Sequence, residues 1–200
     1  MDFKGHLENA WNNTLQFIVP VILLTLVQLV VITFSFGILA PVTTAGYMQS
    51  LLLALREGRE PKIGDLFSEM RLFLPLFVFG LLAIIATMLG FAMLILPGFA
   101  VVGFLVFATI YMMPLMSDKD MGLMDAIKES WRMSTRSPIS DQIIVMVLYM
   151  VIVALGGSIA VAVLFTQPLA TFFALSVYEE RLKGEQRATP PPIENNNSKE

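Results

Sequence analysis

The chain has 200 residues, of which 56% are hydrophobic and 14% charged, with a formal net charge of −3 and a mean hydropathy of +0.73. Soluble domains carry about a quarter charged residues, so this composition argues against a water-soluble fold, and the small negative balance offers no basic footprint for nucleic acid. Cysteine is absent, which excludes disulfides and thiolate chemistry.

The charges are unevenly placed. None falls in 9–55, 72–117 or 142–178. At roughly 20 residues per crossing, each gap is long enough for two membrane passages. The middle gap is broken once, at Leu96-Pro97-Gly98, which reads as a tight turn between two crossings.

The N-terminus carries Asp2 and Glu8 against Lys4 and leads into an apolar run longer than a signal-peptide core, so no cleavable leader is expected. Phe3, Leu7, Ala10, Trp11, Thr14, Leu15 and Ile18 recur at helical spacing. They predict an interfacial helix that turns into the first span, with Trp11 at headgroup depth. Spans are expected at about 16–36, 41–55, 72–96, 99–116, 142–165 and 167–178. Pro20 falls in the first turns of span 1, where a missing N–H costs least.

Residues 56–71 form a charged loop, with Asp65 the expected N-cap of a short helix carrying Leu66, Phe67 and Met70. Residues 117–141 form a second. Within it Met121, Met124, Ile127 and Trp131 line one side of a helix, while Asp125, Lys128, Glu129, Arg132 and Arg136 occupy the rest. This pattern predicts an interfacial amphipathic helix, capped by Asp120 and stopped by Pro138. Residues 179–183 leave the membrane. The Pro- and Asn-rich stretch 188–200 is expected to be a disordered cytoplasmic tail, which leaves 1–187 as a single membrane domain.

Six spans account for the basic residues. All thirteen Lys and Arg lie at the N-terminus, in the two charged loops or in the C-terminal segment. Six crossings put these four places on one side and leave the opposite turns uncharged. The positive-inside rule makes the charged side cytoplasmic. The expected fold is all-α: an integral membrane six-helix bundle built of three helical hairpins, plus interfacial amphipathic helices.

The spans contain no His, Asp, Glu, Lys or Arg. That speaks against intramembrane hydrolysis, metal binding and ion-coupled transport. Neither an enzyme nor a cofactor is expected. What remains is amide and hydroxyl: Gln28, Thr33, Thr43, Thr44, Gln49, Ser50, Thr87, Thr109, Ser158, Thr166 and Gln167. Such groups hydrogen-bond between helices, or Gln28, Gln49 and Gln167 line a polar path. Small residues recur at four-residue spacing at Ala154, Ser158 and Ala162, and at Ala86 and Gly90, which permits close helix contact. The loops balance basic residues with acids, so a polybasic lipid switch is not supported.

A series of short motifs runs through most of the chain: Ala40-Pro41 followed by Gly46; Arg56-Glu57-Gly58-Arg59-Glu60, then Ile63-Gly64-Asp65-Leu66-Phe67; Leu96-Pro97-Gly98; Asp125-Ala126-Ile127-Lys128-Glu129-Ser130; and Gln167-Pro168-Leu169 leading to Tyr178-Glu179-Glu180. In this order and spacing they resemble a family of uncharacterised bacterial multi-pass membrane proteins related to the membrane domain of glycerophosphodiester phosphodiesterases. The resemblance implies a six-helix membrane domain without a known activity. No attached phosphodiesterase domain is expected, so no catalytic residue carries over.

The expectation is a non-enzymatic, multi-pass protein of the bacterial inner membrane with both termini cytoplasmic, acting as a lipid-interacting or complex-scaffolding component. Its partners would be membrane lipids, other membrane proteins or a second copy of itself, and not nucleic acid. The candidate interaction surface is Met121, Met124, Ile127, Trp131 and Arg132. The alternative is a facilitator or channel for a small neutral or amphiphilic solute, using Gln28, Gln49 and Gln167. An enzyme would need ionisable groups, for example Asp65, Glu69 and Asp125, to converge at one cytoplasmic rim.

Overall fold

A computed structural model describes residues 2–136, 138–157 and 162–188. Every regular element among them is helical. In chain order these are α1 (Phe3–Gln16), α2 (Ile18–Phe34) and α3 (Ala40–Glu57), then two 3-10 turns (Ile63–Phe67 and Met70–Leu72). There follow α4 (Phe73–Met93), α5 (Ile95–Thr109), α6 (Met112–Asp118), α7 (Leu123–Arg136), α8 (Ile139–Gly157) and α9 (Val163–Ala188).

Two of these helices are enclosed by the others. In α3, Val42, Ala45, Tyr47, Leu51 and Leu52 are fully buried, and in α9 so are Phe172, Phe173, Leu175, Val177 and Tyr178. The outer helices differ. Three segments are long and apolar enough to cross a membrane: Ile63–Met93, Ile95–Asp118 and Ile139–Gly156. Only 11%, 28% and 22% of their most apolar stretches is buried. Apolar side chains left on the outside in such numbers suit a lipid solvent rather than water.

α1 and α2 meet at a bend of 87° and together would supply a fourth crossing if the bent pair is taken as one span. Pro20 explains the break. It has no N–H to offer the Gln16 carbonyl, and its ring displaces that carbonyl, so the first helix ends at Gln16. The buried face of α1 is His6, Ala10 and Thr14, packed on α9. Leu7, Trp11 and Leu15 form an exposed stripe on another face.

Helices long and apolar enough to cross a membrane are thus present, but α3 and α9, expected as spans 2 and 6, are less apolar and are not among them. α3 carries Thr43, Thr44, Gln49 and Ser50, and the apolar run of α9 ends at Glu179. α9 is also longer than the expected span 6. It starts at Val163, contains Pro168 and continues as helix to Ala188.

Local details correct other expectations. The reversal between α4 and α5 lies at Leu94, whose backbone is extended, and not at Pro97-Gly98. Pro97 sits in the first turn of α5, where its lack of an N–H leaves no bond unmade. Gly98 serves the packing: an added Cβ would overlap the Phe91 ring of α4. Gly90 lies against Gly98 and Val101 of α5, while Ala86, the other residue of that expected ladder, is exposed. Asp65 does not cap the short helix from in front. It lies inside the first 3-10 turn and reaches back to accept the Lys62 N–H at 3.0 Å. Asp120, at φ 53, stands outside α7 and pairs with Arg71. Pro138 precedes α8 and accepts the Asp141 N–H. Ser158 of the other ladder and the expected tail beyond Ala188 lie outside the described residues.

Candidate functional site

The ionisable residues gather where α3 and α6 end, beside residues 178–181 of α9. Arg56, at the last turn of α3, donates through Nη2 to Asp118 Oδ2 at 2.9 Å and through Nε to Glu179 Oε1 at 2.6 Å, and also pairs Nη1 with Asp118 Oδ1. One guanidinium therefore ties α3 to α6 and to α9. The hydrogen bonds to Asp118, working against burial and joined by those to Glu179, push Arg56 above its already high ordinary pKa. Its charge is fixed at any physiological pH. Tyr178 adds a hydrogen bond from its hydroxyl to Asp118 Oδ2 at 3.2 Å.

Arg181, one turn further along α9, is buried. It donates to the Met133 carbonyl of α7 and, at 2.7 Å, to Gln142 Oε1 of α8. Its guanidinium also lies 5.3 Å from the centre of the Tyr111 ring, a cation–π distance. Tyr111 donates its hydroxyl to the same Gln142 oxygen at 3.0 Å.

His6 joins α1 to α9. Its Nδ1 is 2.6 Å from Ser176 Oγ, and its Nε2 pairs with Glu180. Hydroxyl, imidazole and carboxylate in a row are the groups a serine hydrolase uses. The setting differs here. Ser176 is buried in mid-helix, and the neighbouring backbone N–H groups are spent in the ladder of α9. No pair of N–H groups is left to hold an oxyanion. The cavity beside this row, about 570 Å³, is bounded by His6, Asn9, Leu55, Arg56, Ser176, Glu179, Glu180 and Lys183.

Of the expected interaction surface, Met121 precedes α7 and the rest lies on it, divided between two environments. Ala126, Ser130, Met133 and Ser134 form the buried side of the helix. Met121 and Ile127 are half-buried against the core. Met124 and Trp131 are 64% and 43% exposed, and Arg132, exposed beside them, bonds Glu129 at 2.6 Å. Trp131 rests on Phe104 and Phe107 of α5, with ring centres 5.7 and 5.8 Å away. Met124 and Trp131, two turns apart, thus form an apolar flank continuous with the outer, apolar α5.

The expected polar path does not assemble. Gln167 Nε2 donates to Gln28 Oε1 at 2.6 Å, and Gln28 Nε2 donates to Thr44 Oγ1 at 3.2 Å. These amides satisfy one another between α9, α2 and α3, as polar groups in an apolar bundle do. Gln49 sits apart, near the charged loop, in a cavity that also holds Asp65 and Glu69. Asp125, the third of the converging acids considered, does not border that cavity. Among the described residues no three His, Asp or Glu side chains group as ligands for a metal.

His6, Arg56, Asp118, Glu179 and Arg181 were not singled out by sequence. The available signal was weak: each is the charged residue nearest the edge of an apolar run, or close to it. Neither a protein-family model, nor a curated protein, nor a solved structure matches the chain.

Proposed function

We propose that this is a non-enzymatic, multi-pass membrane protein that acts by binding, organising lipid or holding a membrane complex together, with α7 as its recognition surface. In this reading the membrane is a bacterial inner membrane and the protein belongs with the multi-pass family that its motifs resemble. All six apolar helical segments cross, α3 and α9 as inner helices, and the charged ends face the cytoplasm.

One observation carries the reading. α7 packs Ala126, Ile127 and Met133 inward, yet it also presents Met124 and Trp131 outward, and the indole packs at a tilt and edge-on against Phe104 and Phe107 of α5. A half-exposed indole beside an apolar span is the amphipathic arrangement favoured at the level of lipid headgroups. The ion pairs of Arg56 and the mutual bonding of Gln28 and Gln167 support it further, since both hold helices in place.

The test compares the parent with Met124→Glu and Trp131→Glu, each extracted in mild detergent and shown helical by circular dichroism. Lipid retained per protein is then measured by mass spectrometry. The expected result is a loss of bound lipid of about tenfold, since a charge in an apolar contact costs more than 1.4 kcal/mol. Equal retention by all three proteins overturns the reading.

A further inference from the structure

Residues of α3, α4, α5, α6, α8 and α9 enclose a cavity of about 190 Å³. Most of its wall is apolar, with Met48, Met112 and Met113 among the lining residues, and no described residue of the wall is charged. The polar side chains of the wall are three hydroxyls, those of Thr44, Thr109 and Tyr149. Thr109 spends its proton on the Leu105 carbonyl at 2.7 Å. Thr44 Oγ1 accepts from Gln28 Nε2 at 3.2 Å, and its own proton has no acceptor among the described residues. Tyr149 Oη makes no hydrogen bond there at all.

Tyr149 differs in this from the other three of the four tyrosines. Tyr47 pairs with Thr25 Oγ1 at 2.9 Å, Tyr111 donates to Gln142 Oε1 at 3.0 Å, and Tyr178 donates to Asp118 Oδ2 at 3.2 Å. Nor does Tyr149 belong to the outer face of its helix. The buried positions of α8 include Gln142, Val145 and Ile152, and Tyr149 falls on the same face by helical spacing. It is partly buried against the core. A tyrosine on an inward face ordinarily finds a partner for its hydroxyl. This hydroxyl is not among the polar atoms sealed from their surroundings, so a bound molecule can reach it.

The unused groups are donors. A carbonyl oxygen has two lone pairs and no proton, so it answers them, whereas a ligand hydroxyl brings a further proton in need of an acceptor. An ion meets no opposite charge on the wall and loses its hydration. Water fits poorly, because it needs several polar partners and most of the wall is apolar. An apolar cavity of about 150 Å³ holds a benzene ring, so this one takes a single ring with a small substituent. The three methionines give it an adaptable, polarisable lining.

We propose that this cavity binds a neutral, lipid-soluble carbonyl compound with a group the size of one ring, its oxygen accepting from Tyr149 Oη and with Thr44 as a further donor. Part of the wall comes from α4, α5 and α8, the outer helices, so the bilayer is the source of the ligand. The site shares no residue with α7, so it stands or falls separately from the proposed function.

The test uses the full chain in phosphatidylcholine nanodiscs. The probe is 4-azidoacetophenone, a single ring with a carbonyl, which is photolysed in place and its attachment sites mapped by mass spectrometry. Two competitors are compared at equal concentration in the bilayer: acetophenone, and α-methylstyrene, which has CH₂ in place of the carbonyl oxygen. The expected result is attachment at residues of this cavity, Met48, Met112 and Met113 among them. Acetophenone should protect at a concentration about tenfold lower than α-methylstyrene, the value of one to two hydrogen bonds. Tyr149→Phe removes an oxygen that holds no other group, so the fold is kept, and it should abolish the difference between the competitors. Attachment spread along the outer helices and absent from the cavity, equal protection by the two competitors in the parent, or an unchanged difference in Tyr149→Phe overturns the proposal.

Discussion

Arg56 shows how much one side chain does at the charged end. From the last turn of α3, its three nitrogens reach carboxylates from α6 and α9. Removing it leaves Asp118, itself mostly buried, and Glu179 facing each other, with Lys119 at 3.7 Å from Asp118 as a weaker, more exposed substitute cation. Breaking a buried pair costs more than the pair contributes, because the abandoned charge stays desolvated. Arg56→Met should therefore lower stability by on the order of 2 kcal/mol, with partial exposure of the guanidinium keeping the figure below that of a fully buried pair. Thermal unfolding in detergent micelles measures this. Asp118→Asn combined with Arg56→Met should cost less than the sum of the two single changes, since they share one interaction. His6 is the corresponding link for α1, and its placement explains why the N-terminal helix lies on α9.

At the scale of elements, the segment before α4 is more than a linker. Its first 3-10 turn packs on α3 at Gly46, where a Cβ would overlap the backbone carbonyls of Asp65 and Leu66. Backbone cannot swing aside as a side-chain tip does. Gly46→Val should consequently dislodge the segment and lower stability by about 2 kcal/mol, the usual scale of overpacking. Trypsin cuts after Arg59 and Lys62, so cleavage there should become faster in the variant while cuts elsewhere keep their rate. Unchanged cleavage would show that the turn is held by other contacts. The same close approach places Asp65 beside Ser50, whose hydroxyl donates to the carboxylate at 2.7 Å. α7 depends on different contacts: Ser134 donates to the Phe107 carbonyl at 2.8 Å, and Ser130 accepts the Tyr111 N–H at 3.3 Å. These bonds set how the helix lies on α5 and which of its residues remain outside.

For the whole molecule, the outer helices present apolar side chains outward and the inner pair supplies the core. Because the chain has no cysteine, single cysteines can report its orientation without background. Under the six-crossing proposal, Lys4→Cys, Glu57→Cys, Lys128→Cys and Lys183→Cys should react with a membrane-impermeant maleimide from one side of sealed vesicles. Ile38→Cys and Leu96→Cys should react only from the other. Labelling of Ile38→Cys from the same side as Glu57→Cys would mean that α3 does not cross.

Helical class, the positions of the apolar stretches and the confinement of charge to their flanks follow from the sequence alone, because hydropathy and helical period are local properties. The turn around Gly37 and the α7 periodicity were legible for that reason. Helix ends were less so: Pro97-Gly98 looks like a turn in isolation, yet it sits inside α5 because a proline suits a first helical turn. Only the tertiary structure decided which apolar helices lie inside. It also decided that Gln28 meets Gln167, a partner 139 positions away, and not Gln49, and that Arg56 joins three helices. The physical reason is common to all of these. Such pairings depend on how long-range packing rotates each helix about its axis, and in lipid that packing is set by close fit and hydrogen bonding between helices rather than by hydrophobicity, which every apolar face shares.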